Sequence, residues 1–171
     1  MIMEDEKNTC KSLNKTKINL NCVILDISRK KIDYPIDFLD YVRVGKIDCS
    51  RNSIEQLDNV IPETVFDLNC SYNKITLLDN LPPQLKVLDC SHNLLTRLDY
   101  LPGGILKLDC SYNNIIQLDD LPNGIEFLFC NNNKISNLNN LPRCLKYLYC
   151  YDNVKNIKLL NLPITIEKLL D

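Results

Sequence analysis

The chain has no alanine, no tryptophan and only four glycines among 171 residues. Because alanine is the best helix former, its absence disfavours a fold of long helices. No apolar run reaches the about 18 residues that a membrane-spanning helix needs. The segment from Met1 to Lys17 is too polar for a secretory signal. The sequence therefore predicts neither a membrane protein nor a secreted one.

An excess of basic residues is also missing. The chain has 20 Lys and Arg against 22 Asp and Glu, which gives a net charge of −2. This balance does not predict the basic surface that nucleic-acid binders carry. Hydrophobic residues make up 45% of the chain, which is enough to bury a core. The length suits one domain or one repeat array.

Leucine, asparagine and cysteine are abundant, with 29, 22 and 9 copies. Five cysteines recur every 20 residues and a sixth precedes them by 21: Cys49, Cys70, Cys90, Cys110, Cys130 and Cys150. A fixed period of this kind indicates a structural repeat rather than a disulfide framework. The odd cysteine count and the polar N-terminus favour a reducing, intracellular compartment.

The repeats align with one another. Residues 85–95 read LKVLDCSHNLL, residues 105–115 read ILKLDCSYNNI, and residues 125–135 read IEFLFCNNNKI. Seven repeats fit the chain, at 22–43, 44–64, 65–84, 85–104, 105–124, 125–144 and 145–165. The first is irregular and has Lys30 where the others have Asn. Residues 1–21 are expected to form an N-terminal cap or tail, and 166–171 a partial terminal repeat.

This pattern, L-x-x-L-x-L-x-x-N-x-L with Cys in the third apolar position, resembles the leucine-rich-repeat family. The 20-residue length and the recurrent Leu-Pro, for example at 101–102, resemble the short subtype of bacterial effectors. The phrase Asp-Cys-Ser, for example at 109–111, resembles repeat proteins of giant, mimivirus-like DNA viruses. The resemblance implies a curved solenoid that binds proteins on its concave sheet. A viral source would place it in the host cytoplasm.

The first half of each repeat alternates apolar residues such as Leu88 and Cys90, which predicts a short strand. The same alternation predicts that the residue after each cysteine points outward: Ser50, Ser71, Ser91, Ser111, Asn131 and Tyr151. Stacked strands would form a parallel sheet. A proline in each second half removes a backbone donor, so we expect turns or extended backbone there and little helix. One repeat buries too little to fold alone, and stacking must supply the rest. The expected core columns begin at Val65, Leu68, Ile75 and Leu78.

Three columns of identical residues could form sites. The cysteine column is expected to be a buried hydrophobic row, with zinc or neighbouring disulfides as alternatives; Cys10, Cys22 and Cys144 lie outside it. The asparagine column is expected to satisfy backbone groups in adjacent turns, with a ligand-binding amide row as the alternative. Its members are Asn52, Asn73, Asn93, Asn113, Asn133 and Asn153. Asp58, Asp79, Asp99 and Asp119, continued by Asn139, are expected to accept from backbone N–H groups, with calcium as the alternative.

No catalytic constellation, cofactor motif or phosphate-binding loop is apparent, and His92 is the one histidine. We therefore expect no enzyme. Outward strand residues change abruptly near the C-terminus to aromatics: Phe127, Phe129, Tyr147, Tyr149 and Tyr151. Together with Asp89, Asp109 and Tyr112 they are the predicted partner-binding residues. Sequence drift, or burial under a cap or second subunit, are the alternatives. A structural block that self-associates, as a homodimer, through its C-terminal end is the alternative function.

Overall fold

The computed structural model describes residues 9–10, 23–33, 38, 43–154, 159 and 162–170. These residues form nine short parallel strands, which pair in chain order into one sheet. The strands are β1 (Thr9–Cys10), β2 (Ile24–Asp26), β3 (Lys46–Asp48), β4 (Asp67–Asn69), β5 (Val87–Asp89), β6 (Lys107–Asp109), β7 (Phe127–Phe129), β8 (Tyr147–Tyr149) and β9 (Lys168–Leu170). The predicted solenoid of short parallel strands is confirmed, and this part of the chain contains no helix that could cross a membrane.

Each strand residue lies opposite the residue at the same repeat position in the next strand. Leu88 in the middle of β5 lies opposite Leu68 in β4 and Leu108 in β6. The middle residue of β2 to β8 is buried, whereas the residues on either side of it are half-buried or exposed. This alternation follows from the two-residue period of a strand. Each strand therefore gives two residues to the outer face of the sheet.

The predicted core columns are buried. Val65, Leu85, Ile105, Ile125 and Leu145 have no exposed surface, and the same holds for Leu68, Leu88, Leu108, Leu128 and Leu148. Ile75, Leu95, Ile115 and Ile135 are equally buried, and Leu78, Leu98, Leu118 and Leu138 nearly so. One continuous core runs from Leu25 to Cys150. Each repeat thus buries its apolar side chains against its neighbours, as a solenoid requires.

The prolines of the second half-repeats initiate turns. The carbonyl oxygen of each one accepts a hydrogen bond, of 3.1 or 3.2 Å, from the N–H of the residue three positions later. The acceptors are Pro62, Pro82, Pro102, Pro122, Pro142 and Pro163. The pyrrolidine ring fixes the φ angle of the residue that begins the turn, and the missing proline N–H needs no partner. The expected turn backbone on this side of the repeat is therefore confirmed.

The four repeats from 44–64 to 105–124 each turn two corners with residues in the left-handed region, whereas 125–144 has one such residue, Asn132. The first corner has φ values of 51–57° at Arg51, Tyr72, His92, Tyr112, Asn132 and Asp152. The second corner has φ values of 55–57° at Asn59, Asn80, Tyr100 and Asp120. Glycine would adopt this conformation without strain, yet no glycine of the described chain has positive φ. Side-chain contacts at these corners must therefore offset a conformational cost of about 1 kcal/mol each.

The two ends of the sheet are β1 and β9. Apart from β1, the predicted cap at 1–21 lies outside the described residues, and the repeat boundaries stay a prediction. The predicted terminal stub, 166–171, adds β9 to the edge of β8. Ile166 and Leu169 pack against the core, so this segment covers part of the last full repeat.

Candidate functional site

The outer face of the sheet has two columns of side chains, set by the strand register. The first residues of the strands form one column: Ile24, Lys46, Asp67, Val87, Lys107, Phe127, Tyr147 and Lys168. The third residues form the other: Asp26, Asp48, Asn69, Asp89, Asp109, Phe129, Tyr149 and Leu170. All nine described strands lie in this one sheet, so none of them covers its outer face.

Four of the predicted aromatic residues form two stacked pairs on β7 and β8, here called the aromatic patch. The rings of Phe127 and Tyr147 lie 4.9 Å apart, and those of Phe129 and Tyr149 lie 4.7 Å apart. These distances are typical of side chains that lie opposite one another on neighbouring strands. All four side chains are half-buried rather than fully exposed, because each ring covers its neighbour.

Two lysines extend the second ring pair. The Lys107 ammonium lies 5.7 Å from the centre of the Phe129 ring, and the Lys168 ammonium lies 5.4 Å from that of Tyr149. The Tyr147 hydroxyl donates a 2.9 Å hydrogen bond to Glu167, and this bond raises the pKa of Tyr147. These contacts favour the observed orientation of the rings.

The fifth predicted aromatic, Tyr151, follows β8 and occupies the repeat position that holds serine in earlier repeats. It is exposed and makes no ring contact with the aromatic patch in the part of the chain that the structure describes. Its membership of a binding surface stays a prediction. Tyr112, another predicted contact residue, lies outside the aromatic patch, beyond the C-terminal end of β6.

The predicted acidic residues are half-buried and bound to serines. In Asp89, one oxygen, Oδ1, accepts from the Ser91 N–H at 3.0 Å and from the Ser91 hydroxyl at 2.7 Å. Asp109 and Ser111 repeat this arrangement at 3.0 and 2.6 Å. Partial burial raises the pKa of Asp109 and the charge of Asp89 adds to the effect, while the Ser111 hydrogen bonds oppose it.

The serine residues themselves are buried. The alternation of the strand predicted that the residue after each cysteine points outward, but Ser50, Ser71, Ser91 and Ser111 are 5 or 6% exposed. The prediction is wrong because the strand ends one residue before the cysteine, where the chain turns. The serine side chain then points back to the carboxylate or amide two residues earlier.

A second stack, not predicted from the sequence, lies just beyond the C-terminal ends of β4, β5 and β6. The Tyr72, His92 and Tyr112 rings lie 3.9 and 4.1 Å apart and are nearly parallel. The Arg51 guanidinium continues the row, 4.0 Å from the Tyr72 ring. Burial lowers the pKa of His92, Arg51 acts in the same direction, and Asp109 and Asp89 oppose it. The recurrence of planar side chains at one repeat position was the available signal.

The asparagine column acts as predicted. The Asn93 amide donates to the carbonyl oxygens of Cys70, Cys90 and Ser91, and its oxygen accepts from the Ile75 N–H. Asn73, Asn113 and Asn133 make equivalent bonds. The pattern continues, with less burial, at Asn52 and Asn153.

Asn52 also bonds to the irregular first repeat. Its oxygen accepts from the N–H groups of both Lys30 and Ile32, and its amide donates to the Ile27 carbonyl oxygen, the position that each later repeat also bonds with its own asparagine.

The cysteine column is buried, as predicted. Cys49, Cys70, Cys90, Cys110 and Cys130 are unbridged thiols without exposed surface, and Cys150 is equally buried. Burial raises the pKa of the first five thiols. Cys144 is exposed, as expected, whereas Cys22 and the Cys10 side chain lie outside the described residues. No group of three or more potential metal ligands occurs in the part that the structure describes.

In the acidic column of the second half-repeats, Asp58 accepts a hydrogen bond from a backbone N–H group, as predicted. The donor is the Asp79 N–H, at 3.1 Å. The Oδ1 atom of Asp79 is itself buried without a hydrogen bond to any described residue, and Asp99 pairs with Arg97.

Solved structures of leucine-rich-repeat proteins resemble this fold. YopM from Yersinia enterocolitica WA-314 is 27% identical, with a TM-score of 0.67 over 87% of this chain and 35% of its own. The repeat domain of a Shigella effector is 29% identical, with a TM-score of 0.70 over 78% of this chain and 60% of its own. No protein-family model matches the sequence. No curated protein matches it either.

A third similar structure, the functional domain of InlJ from Listeria monocytogenes, includes a cysteine ladder. It is 29% identical, with a TM-score of 0.60 over 79% of this chain and 29% of its own. The fold is therefore a leucine-rich-repeat solenoid. The chain spans 35% and 60% of the lengths of YopM and the Shigella domain, so the activities of those whole proteins do not transfer to it directly.

Proposed function

We propose that this chain is a non-enzymatic protein-recognition module whose partner binds the outer face of the sheet, centred on the aromatic patch. The observation that carries the proposal is the pair of stacked aromatic pairs on β7 and β8. The leucine-rich-repeat core does not require aromatics at these outward positions, since β4 to β6 have Asp, Val, Lys and Asn there. Clustered aromatic surface is typical of protein interfaces.

The setting of the proposal is an intracellular, reducing compartment. Five thiols of the cysteine column, those of Cys49, Cys70, Cys90, Cys110 and Cys130, are unbridged and support it, because neighbouring cysteines of an oxidised protein would tend to pair. The net charge of −2 supports a protein partner rather than nucleic acid, and no membrane contact is proposed. The 20-residue Leu-Pro repeat supports kinship with the short effector subtype. If the source is viral, as the Asp-Cys-Ser repeats suggest, the partner is a host or viral protein.

The test begins with affinity capture from the relevant cytoplasm on three immobilised forms. These are the wild type, the double variant Phe129→Ser/Tyr149→Ser, and the control Tyr100→Ser. Tyr100 is 90% exposed at a corner outside the sheet, so its loss removes an aromatic ring without touching the patch. The captured protein is identified and purified, and its affinity for each form is measured.

We expect the double variant to bind about 30-fold more weakly, which corresponds to about 2 kcal/mol, and the control to bind like wild type. The unfolding curve of each variant checks that it remains folded. Equal binding of all three forms by a specific partner would overturn the proposal.

Self-association through the C-terminal end is the second candidate function. Ile164 is fully exposed near the edge strand β9, and Leu162 and Leu170 are more than 40% exposed. Light scattering over a range of concentrations tests it. A molar mass that rises with concentration, and that Ile164→Glu returns to the monomer value, would support this function, whereas a constant monomer mass would exclude it.

A further inference from the structure

The column formed by the third residue of each strand changes from acidic to aromatic and apolar side chains along the sheet. In β2 to β6 it has four carboxylates and one amide, whereas in β7 to β9 it has Phe129, Tyr149 and Leu170. Asp89 and Asp109 are direct neighbours in this column, and Phe129 lies next to Asp109. The acidic part and the aromatic patch therefore form one surface, continuous across the strands.

The two carboxylates next to the patch are fixed in place. Their Oδ1 atoms are held by Ser91 and Ser111, and their Oδ2 atoms make no hydrogen bond to any residue that the structure describes. They lie one strand spacing apart, about 4.8 Å, where two like charges repel by about 1 kcal/mol even in water. The Lys107 ammonium on the same strand offsets part of the Asp109 charge, and a cationic side chain placed over both carboxylates would relieve the remaining repulsion.

The aromatic patch does not offer the same kind of site to a cation. One face of Phe129 is covered by Tyr149, and the ring also has the Lys107 ammonium nearby. Tyr149 has Lys168 in the corresponding position. The two ring planes are thus already engaged, and the two ammonium groups repel further positive charge. The exposed ring edges, which carry partial positive charge, suit apolar groups and carbonyl oxygens instead.

The distance between the two parts limits the conformation of a bound segment. From the middle of the Asp89–Asp109 pair to the middle of the Phe129–Tyr149 pair is two strand spacings, about 9.6 Å. A polyproline II helix advances about 9.3 Å in three residues and brings residues i and i+3 to the same side. An extended β-strand places residues i and i+2 on one side about 6.8 Å apart, and i and i+4 about 13.6 Å apart.

We propose that the partner binds through a segment in the polyproline II conformation that crosses the strands, with a basic side chain over Asp89 and Asp109 and an apolar side chain over Phe129 and Tyr149, three residues apart. This inference rests on the proposed function, because it assigns the partner of the same surface. The charge complementarity of the acidic part and the engaged ring planes of the patch select this partner over an acidic or purely apolar one.

The test is selection of a displayed library of random 12-residue peptides on four forms of the chain. They are the wild type, Phe129→Ser/Tyr149→Ser, Asp89→Asn/Asp109→Asn and Asp99→Asn/Asp119→Asn. Asparagine is a suitable replacement for Asp89 and Asp109, because Asn69 occupies the same repeat position and its side chain accepts hydrogen bonds from the Ser71 N–H and hydroxyl. The last variant removes the same charge outside the sheet and serves as the control.

We expect enriched peptides with Lys or Arg three residues from an apolar residue, and with proline between them. Their affinity should fall at least 10-fold on the aromatic variant and on the Asp89/Asp109 variant, and remain unchanged on the control. Peptides that need the aromatics but lack a basic residue and bind Asp89→Asn/Asp109→Asn normally would overturn this inference alone. Peptides indifferent to the aromatic variant would overturn the proposed function as well, and failure to enrich any peptide would overturn the inference.

Discussion

The Asn93 amide nitrogen lies 3.0 Å from the carbonyl oxygen of Cys70 in the preceding repeat. It also reaches the Cys90 carbonyl oxygen of its own repeat at 3.1 Å. One buried side chain thus joins two consecutive turns of the solenoid, and the same bonds recur at Asn73, Asn113 and Asn133. The column is the polar counterpart of the leucine core, since it satisfies backbone groups that the turn would otherwise leave buried and unpaired.

Replacing Asn93 should therefore cost more than an ordinary polar substitution. Asn93→Ala leaves the Ile75 N–H without its acceptor and removes one of the two amide donors from each of the Cys70 and Cys90 carbonyl oxygens. We expect a loss of about 2 kcal/mol in the free energy of unfolding. Asn93→Asp should be similarly damaging, because a carboxylate cannot donate to a carbonyl. Urea denaturation measures both, with the exposed Asn140→Ala as control. A loss below about 1 kcal/mol would contradict the role of the column.

The cysteine column should be chemically silent in the folded protein. Burial raises the thiol pKa values and blocks access to the column. Among the cysteines whose side chains the structure describes, a thiol reagent should therefore label Cys144 in the native protein and reach Cys90 and Cys110 only after denaturation. Mass spectrometry of peptides from native and denatured samples locates the label. Rapid native labelling of Cys90 would refute the buried-hydrophobe interpretation. Cys110→Ser should lower stability by about 1–3 kcal/mol, because it buries a hydroxyl.

Stability should depend on the protonation of His92. Burial lowers the pKa of His92 in the folded chain, so the unfolded chain binds the proton more tightly. The stability present above the unfolded pKa of about 6.5 is therefore lost as the pH falls below it. His92→Tyr preserves the stack, since Tyr72 and Tyr112 occupy the same repeat position. The loss in unfolding free energy between about pH 7.5 and 5.5 should be larger in wild type than in His92→Tyr; equal losses would contradict the assignment.

The second corner of the repeat offers a stabilising substitution. Tyr100 has a φ of 56° and is 90% exposed, so its ring does little to offset the strained backbone. Asn59 and Asn80 fill the same corner, and asparagine tolerates this conformation better than other non-glycine residues. We expect Tyr100→Asn to raise the free energy of unfolding by about 0.5–1 kcal/mol. A thermal unfolding midpoint at or below that of wild type would show that the ring is not a liability.

The fold could be predicted because its determinants repeat. Leu88, Cys90 and Asn93 each have the same role in every regular repeat, so periodicity located the core and both ladders without any long-range information. The buried serines could not be placed in the same way. Whether Ser91 faces inward depends on where β5 ends, and a strand of three residues ends sooner than the alternating pattern suggests.

The candidate surface was only partly predictable, for a related reason. The change to aromatics at Phe127 and Tyr147 was visible, and register follows from the repeat length. The orientation of the rings was not, because it depends on lysines from neighbouring strands and on Glu167. The Arg51 to Tyr112 stack is hard to predict from the sequence because its members differ chemically, although all are planar and share one repeat position.

Site-specific photo-crosslinking tests the central claim, that a partner binds the aromatic patch, most directly. A photoreactive phenylalanine analogue replaces Phe129 in one sample and the exposed Tyr100 in another, and each is irradiated with the captured partner. The account predicts a covalent product at position 129, whose yield falls when unlabelled wild-type chain is added as a competitor, and no product at position 100. A partner that crosslinks at position 100 and not at position 129 would contradict it.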